Sequence, residues 1–552
     1  MKTNLFFKSV AVMAMTAFVA SCTQENFGVQ EESGKKVLTV NVSENAFTAV
    51  NENSRVTDNG YSTTFDVNDK IGLIIVDANT KELIHKMYLE KTADSWNGTV
   101  YYYENADYLA YYPYDEDMDD VTSLEEINKY FKDNKYTLDQ STLESYRNCD
   151  LMTASVAHDA ISAGATLDLN FSHTNAMVEF NVPYYSYTTA TTGGYDYSVP
   201  VSLELSMGTE EGFKPYQMAV GKYRVIIPAG ESKNFTGKFL DAKTNQPVNF
   251  TADNVSLAAN NANIYNVKYD NGPVVGQKQT RAIQPGDYYY ADGNIVPNDF
   301  LNPAKEGCIG IVFSTSTKQE LAKDNSTCNN GYVMALIDAT GNTNKETAWE
   351  YTWGVNNTTI SGLNVVDTGT GITAAPVLTS ENVSGLENTK LIVEGNQYAT
   401  SNDNIENAIE TFGAEGNYTS IYAASGKTTG WFLPTASQFA MIIKNLGAEN
   451  GKFSTTSEGS NDLSQSDYDG TQKIFTNAPF ERINKILKKV DGSITVGPKS
   501  YWTSSVASYS TDGTATSYAP LYFYYANNNK GEFVGKDANN NDKRNVRLIL
   551  AF

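Results

Sequence analysis

Along the first half of the chain, apolar and polar positions alternate in short runs separated by turn-forming residues. Between Val37 and Val42, Leu38, Val40 and Val42 fall on one side and Val37, Thr39 and Asn41 on the other, which predicts a half-buried strand. Comparable runs follow at Lys70–Val76, Tyr108–Tyr112, Ala176–Val182 and Lys222–Pro228. Many short strands at such spacing predict sandwich domains. One helix is expected near Leu124–Phe131, where Ser123 can cap and Ile127 and Phe131 recur four apart. The polar stretch Asn271–Arg281 opens with turn formers and predicts a boundary. Beyond it, helical periods appear at Ile405–Phe412, Ala436–Leu446 and Phe480–Val490. In the second of these, Phe439, Ile442, Ile443 and Leu446 share a face, and Thr435 precedes as a cap. The last apolar run, Val546–Phe552, reads as a core strand: Val546, Leu548 and Leu550 share one face, and Ile549 and Phe552 add apolar surface.

The N-terminus has a different pattern. Lys2 and Lys8 are followed by an uncharged, mostly apolar run, Ser9–Ser21, and then Cys22. A permanent membrane helix needs about 20 apolar residues, so this segment reads as a secretory signal. Ala20-Ser21-Cys22 matches the bacterial lipoprotein signal box. That predicts removal of residues 1–21, acylation of Cys22 (palmitate-type chains) and a lipid anchor in the outer membrane, with the protein exposed at the surface.

Composition fits a protein outside the cytoplasm. Tyr (36), Phe (24) and Gly (40) are abundant, as in antiparallel sheets joined by turns. The formal charge is −23, and losing Lys2 and Lys8 takes it to −25, which argues against nucleic acid as a partner. With Cys22 lipidated, Cys149, Cys308 and Cys328 remain, and a disulfide between Cys308 and Cys328 is one expectation in an oxidising compartment. His85, His158 and His173 are the three histidines. With so few, and no zinc spacing, no metal site and no cofactor is expected. No catalytic triad can be assembled in the second half, which lacks a histidine. His173 reads as structural, and the acidic run Asp115-Glu116-Asp117 as solvated. The chain is not expected to be an enzyme.

Several texts occur in order: Ser54-Arg55-Val56, then Phe65–Gly72, Tyr108–Tyr114, Asp150–Ala154, Leu169–His173, Tyr223–Pro228 and Tyr265–Tyr269. Together they resemble the fimbrillin family, the lipoprotein pilins of Gram-negative anaerobes, over about residues 36–270. The resemblance implies two transthyretin-like β-sandwich subdomains. It also implies cleavage by a trypsin-like protease after Arg55, leaving Val56 first and releasing residues 37–50 as a strand. The emptied groove would take a donor strand from another fimbrial subunit. Physically, removing a strand exposes apolar surface and unpaired backbone, and strand addition satisfies both.

The second half carries Gly286–Gly293, Gly430-Trp431-Phe432-Leu433-Pro434-Thr435, Tyr501-Trp502-Thr503-Ser504-Ser505 and Asn545–Phe552. This order is similar to C-type-lectin-like domains on bacterial surface proteins. The triplets of calcium-dependent sugar-binding lectins are missing. Trp431 and Trp502 are either core residues or a ligand-stacking platform. The expected fold is therefore mostly β: a signal (1–21), a tether with a removable first strand (22–55), sandwiches at 56–160 and 161–275, and an α+β C-type-lectin-like domain at 282–552. Two main readings remain open. One is a fimbrial tip adhesin that accepts a donor strand and binds a host or bacterial glycan or protein. The other is a surface lipoprotein that binds such a ligand without polymerising. An enzyme of the formylglycine-generating type, a third reading, lacks the cysteines it would need after Cys328.

Overall fold

The structure is a computed structural model. It describes residues 36–49, 61–62, 64–270, 272–274, 276–301, 307–315, 328–339, 351–352, 365–367, 385–395, 428–447, 478–490, 499–510, 516–526, 530–535 and 543–552, with single residues between them. Cys22, Arg55 and Val56 lie outside the described residues. Among the described residues no helix is long and apolar enough to cross a membrane. The chain forms two compact units, mostly β in content.

The first unit takes residues up to Asn45, Thr63–Ile127 and Met152–Ser172. Five strands run in the order Trp96–Asn97, Leu83–Lys91, Lys70–Asp77, Ala106–Tyr112, Met152–Val156, each neighbouring pair antiparallel. The central strand, Lys70–Asp77, is apolar on both faces and buried along Ile71–Val76. Gly72 is needed there because the Tyr111 ring lies across it from the paired strand. A Cβ at Gly72 would stand 2.0 Å from Tyr111 Cε1. A second block joins Thr166–His173, β1 (Val37–Asn45) and Val100–Tyr101. Thr166–Ser172 was expected to open the second sandwich. Instead it closes the first, because Leu167, Leu169 and Phe171 alternate into the first core. Asp115, expected to be solvated, is 8% exposed: its carboxylate accepts the Asp117 N–H at 3.1 Å.

The second unit takes Ala46–Ser62, Asn128–Leu151 and His173–Phe552. Its first sheet orders Tyr216–Ala219, Lys222–Pro228, Asn175–Asn181, Asn261–Asn266 and β2 (Thr48–Ala49). A second sheet holds Glu210–Phe213, Leu203–Met207, Lys233–Leu240 and Pro247–Val255. Val178, Phe180, Val225 and Ile227 of the first sheet share one core with Leu205, Phe235 and Phe239 of the second. Gln140 is fully buried against this unit. Its amide donates to Ile226 O and accepts from Ile226 N, both at 2.8 Å, as a strand neighbour would.

The polar stretch near residue 278 is not an open linker. Lys278–Thr280 pairs in parallel with Ser186–Thr188, and Arg281 bonds bidentately to the buried Asp287 at 2.7 and 2.9 Å. Tyr187 and Tyr197 join the same core as the residues that follow. There, Ile295–Val296, Tyr288–Tyr290, Cys308–Ser314, Tyr332–Ala335 and Ile549–Ala551 form an antiparallel sheet. Another sheet orders Val365–Asp367, Tyr501–Ser510, Thr516–Ala526 and Lys530–Gly535. Helices Gly385–Gly395, Ala436–Gly447 and Ala478–Leu487 give this part its α+β character. The expected helix at Ile405–Phe412 lies mostly outside the described residues, although Ile405 and Ala408 are helical and buried.

Candidate functional site

Residues 37–50 are the segment expected to leave, and the attachments of its described part, residues 37–49, define the site. β1 runs parallel to Thr166–Ser172 over seven residue pairs, Thr39↔Thr166 to Asn45↔Ser172. On its other edge, among the described residues, it pairs at Val37↔Tyr101 and Leu38↔Val100. The pleat sorts the side chains. Leu38 is buried, and Val40 and Val42 pack on the first core beside Leu167, Leu169 and Phe171. On the opposite face the register partners bond to one another: Asn41 Nδ2 donates to Asp168 Oδ1 at 3.0 Å, Ser43 Oγ to Asn170 Oδ1, and Asn45 Nδ2 to Ser172 Oγ at 3.0 Å. These exposed polar bonds compete with water and contribute little, so the apolar face and the backbone ladder hold β1.

Past Asn45 the segment engages the second unit. Thr48 N donates to Asn260 O at 2.8 Å, and β2 pairs in parallel with Asn261–Ala262. Phe47, 6% exposed, stacks on His173 with ring centroids 3.6 Å apart and planes 16° from parallel. Cys149, Met177, Ile226 and Ala262 complete its pocket, with Tyr61, Tyr136 and Tyr146 packed around it. His173 Nδ1 donates to Asp150 Oδ1 at 2.7 Å, which fixes the ring against Phe47. Burial raises the Tyr136 and Tyr146 hydroxyls well above the usual phenol range and pushes the Cys149 thiol up to about 11, so these three groups stay neutral at pH 7. Tyr61 also stacks on Arg224, whose guanidinium donates to the buried Glu179 at 2.8 Å. Sequence periodicity pointed to β1 but not to Phe47, a single aromatic outside any alternating run. His173 is structural in the sense expected: it supports Phe47.

The two motifs of the second half meet. Ser504 N donates to Pro434 O at 2.8 Å, and Ala436 N to Ser505 Oγ at 3.0 Å. Thr435 and Gln438 cap the helix reciprocally, Gln438 N to Thr435 Oγ1 at 3.1 Å and Thr435 N to Gln438 Oε1 at 3.0 Å. Tyr501 through Ser505 are all buried. Trp502 is 1% exposed and meets Tyr522 edge-on at 5.6 Å, so its ring offers no open face to a ligand. Trp431 is half-buried, edge-on to Phe412 at 5.3 Å. No disulfide joins Cys308 to Cys328. Cys308 instead directs its thiol along its own strand, with Sγ 3.7 Å from Gly310 O, and both cysteines are buried. Among the described residues no His, Cys, Asp and Glu cluster could hold a metal.

Residues 54–285 match the model of the Fimbrillin-like family. A candidate fimbrium tip subunit of Bacteroides ovatus, Fim1C, is 25% identical over an alignment that covers 88% of this chain and 95% of that protein. A crystal structure of a fimbrial protein from Bacteroides ovatus aligns over 94% of this chain and 100% of its own, with 18% identity and a TM-score of 0.49. The tip fimbrial protein Mfa3 of Porphyromonas gingivalis, truncated at its C-terminus, aligns over 37% of this chain and 91% of its own, with 8% identity and a TM-score of 0.22. Residues 54–285 are thus a fimbrillin-like domain.

Proposed function

We propose that this protein is an adhesive fimbrial subunit at the tip of the fimbrium, exported as an outer-membrane lipoprotein through Cys22. Cleavage after Arg55 frees the segment ending in β1 and β2, and a strand from another subunit takes its place. The observation that carries this reading is the way β1 is held. It has one long parallel ladder to Thr166–Ser172, an apolar face of Leu38, Val40 and Val42, and, among the described residues, a two-pair antiparallel contact with Val100–Tyr101 on its other edge. Such a strand can be replaced by another of the same pattern at little cost to the rest of the sheet. The tip position is supported by residues 546–552. They are buried, and Ile549–Ala551 is paired with Tyr332–Met334, so these residues serve the core rather than a neighbour. The C-terminal α+β part, read as lectin-like, carries adhesion to a surface glycan or protein.

Terminal sequencing of surface fimbriae tests maturation, and Val56 is the expected first residue. Gold labelling tests position, with label expected once per fimbrium at the free end. Assembled protein that starts at Cys22 overturns cleavage after Arg55 as the step that opens the groove, and protein found at the surface but never in fimbriae leaves the non-polymerising lipoprotein. Label along the whole shaft replaces tip with stalk.

A further inference from the structure

We infer that the Phe47 pocket of the second unit is a second recognition site for the incoming strand, which must carry a large apolar, preferably aromatic, side chain where Phe47 sits. This inference rests on the donor-strand reading above. The resident segment is held twice. Leu38, Val40 and Val42 grip the first unit, and five residues beyond Val42, Phe47 is buried in a pocket of the second. The pocket is specific in shape. His173 presents a flat face at 3.6 Å, its orientation set by Asp150, and Cys149, Met177, Ile226 and Ala262 close around the ring. The backbone on both sides of the ring is also paired, with Phe47 N donating to Tyr61 O at 3.1 Å and Thr48 N to Asn260 O at 2.8 Å.

A strand with alternating apolar residues alone would fill only the first groove. It would leave this pocket as a void walled by buried Asp150 and His173. The two-part pattern therefore separates a cognate donor from any alternating strand. It also implies that cutting the chain after the segment does not by itself release it, because both attachments lie on the same side of the cut.

The test uses the full-length chain with a site for a sequence-specific protease placed between Asn51 and Gly60, so that cutting does not depend on Arg55. After cutting, the chain is incubated with equal amounts of two peptides spanning residues 36–50, the native sequence and its Phe47→Ala variant. Bound segments are counted by native mass spectrometry. The same cut is made in a chain carrying Phe47→Ala. The expected results are at least about tenfold preference for the native peptide, and a cut Phe47→Ala segment that leaves at least about tenfold faster than the native one. Equal occupancy by the two peptides, or equal loss of the two cut segments, overturns the second recognition site and leaves the donor-strand reading intact. If the segment leaves and neither peptide replaces it, both fall.

Discussion

Arg547 Nε lies 2.6 Å from Asp338 Oδ1, and both side chains are fully buried. Arg547 belongs to the final run of the chain, and Asp338 follows the strand Tyr332–Ala335 that this run pairs with. Lys499 Nζ donates to the other carboxylate oxygen at 3.0 Å, and Arg547 Nη1 donates to Ala335 O at 3.0 Å. The ion pair thus fastens the last strand from inside the core. Truncating one partner leaves a buried charge unmatched, at a cost of about 3–5 kcal/mol. Arg547→Ala is expected to lower the melting temperature sharply. The double change Arg547→Met with Asp338→Leu should recover much of that loss. Thermal melting of the three proteins checks the order.

Deleting Val546–Phe552 should unfold the C-terminal part rather than merely alter assembly. Val546, Leu548, Ile549 and Leu550 are all fully buried. Burying a large aliphatic side chain is worth roughly 1.5–3 kcal/mol, so the four together are comparable to a whole domain's stability of about 5–15 kcal/mol. Near-ultraviolet circular dichroism should lose the signal of the buried Tyr501 and Trp502 in the truncated chain. An unchanged spectrum removes the argument that this strand serves its own core.

The buried thiols predict a pH response. Burial pushes Cys149 up to about 11 and Cys308 up to about 12, from an ordinary value of 9.0. The folded state therefore favours the neutral thiol. That contribution is complete below pH 9 and is lost as pH rises through about 11 to 12. At pH 8, iodoacetamide should leave Cys149 and Cys308 unmodified in the native protein and label both in denaturant. Stability should fall as pH is raised from 9 toward 11. Rapid native labelling at pH 8 would contradict the burial.

Acylation at Cys22 is expected from the signal pattern. Cys22→Ala should abolish incorporation of a fatty-acid probe during growth and yield soluble or unprocessed protein. Label that persists in the variant places the lipid elsewhere.

Local periodicity determined much of this fold by itself. Alternation predicted strands at Val37–Val42, found to run on to Asn45, and at Lys222–Pro228. The four-residue face of Phe439, Ile442, Ile443 and Leu446, with Thr435 before it, predicted a capped helix at Ala436–Leu446, and the helix runs Ala436–Gly447. These features are legible because a side chain's face is set by its own residue spacing, whatever lies opposite. The C-terminal run was legible for the same reason, as every one of its residues except Arg547 is apolar.

Partners were decided only by the tertiary structure. Many strands here share the same alternation, so spacing cannot say that β1 lies beside Thr166–Ser172, or that this strand closes the first unit instead of opening the second. Phe47 gave no periodic signal, because its environment is assembled from Cys149, His173, Ile226 and Ala262, which are far apart in the chain. Trp431 and Trp502 could have been platform or core. Trp502 is buried where two distant motifs meet, the backbone of Ser504 bonding to Pro434 and that of Ala436 to the Ser505 hydroxyl, whereas Trp431 stays half-buried. A sequence states which faces seek burial. Which distant surface covers each face is settled by packing and by the need of every buried polar group for a partner.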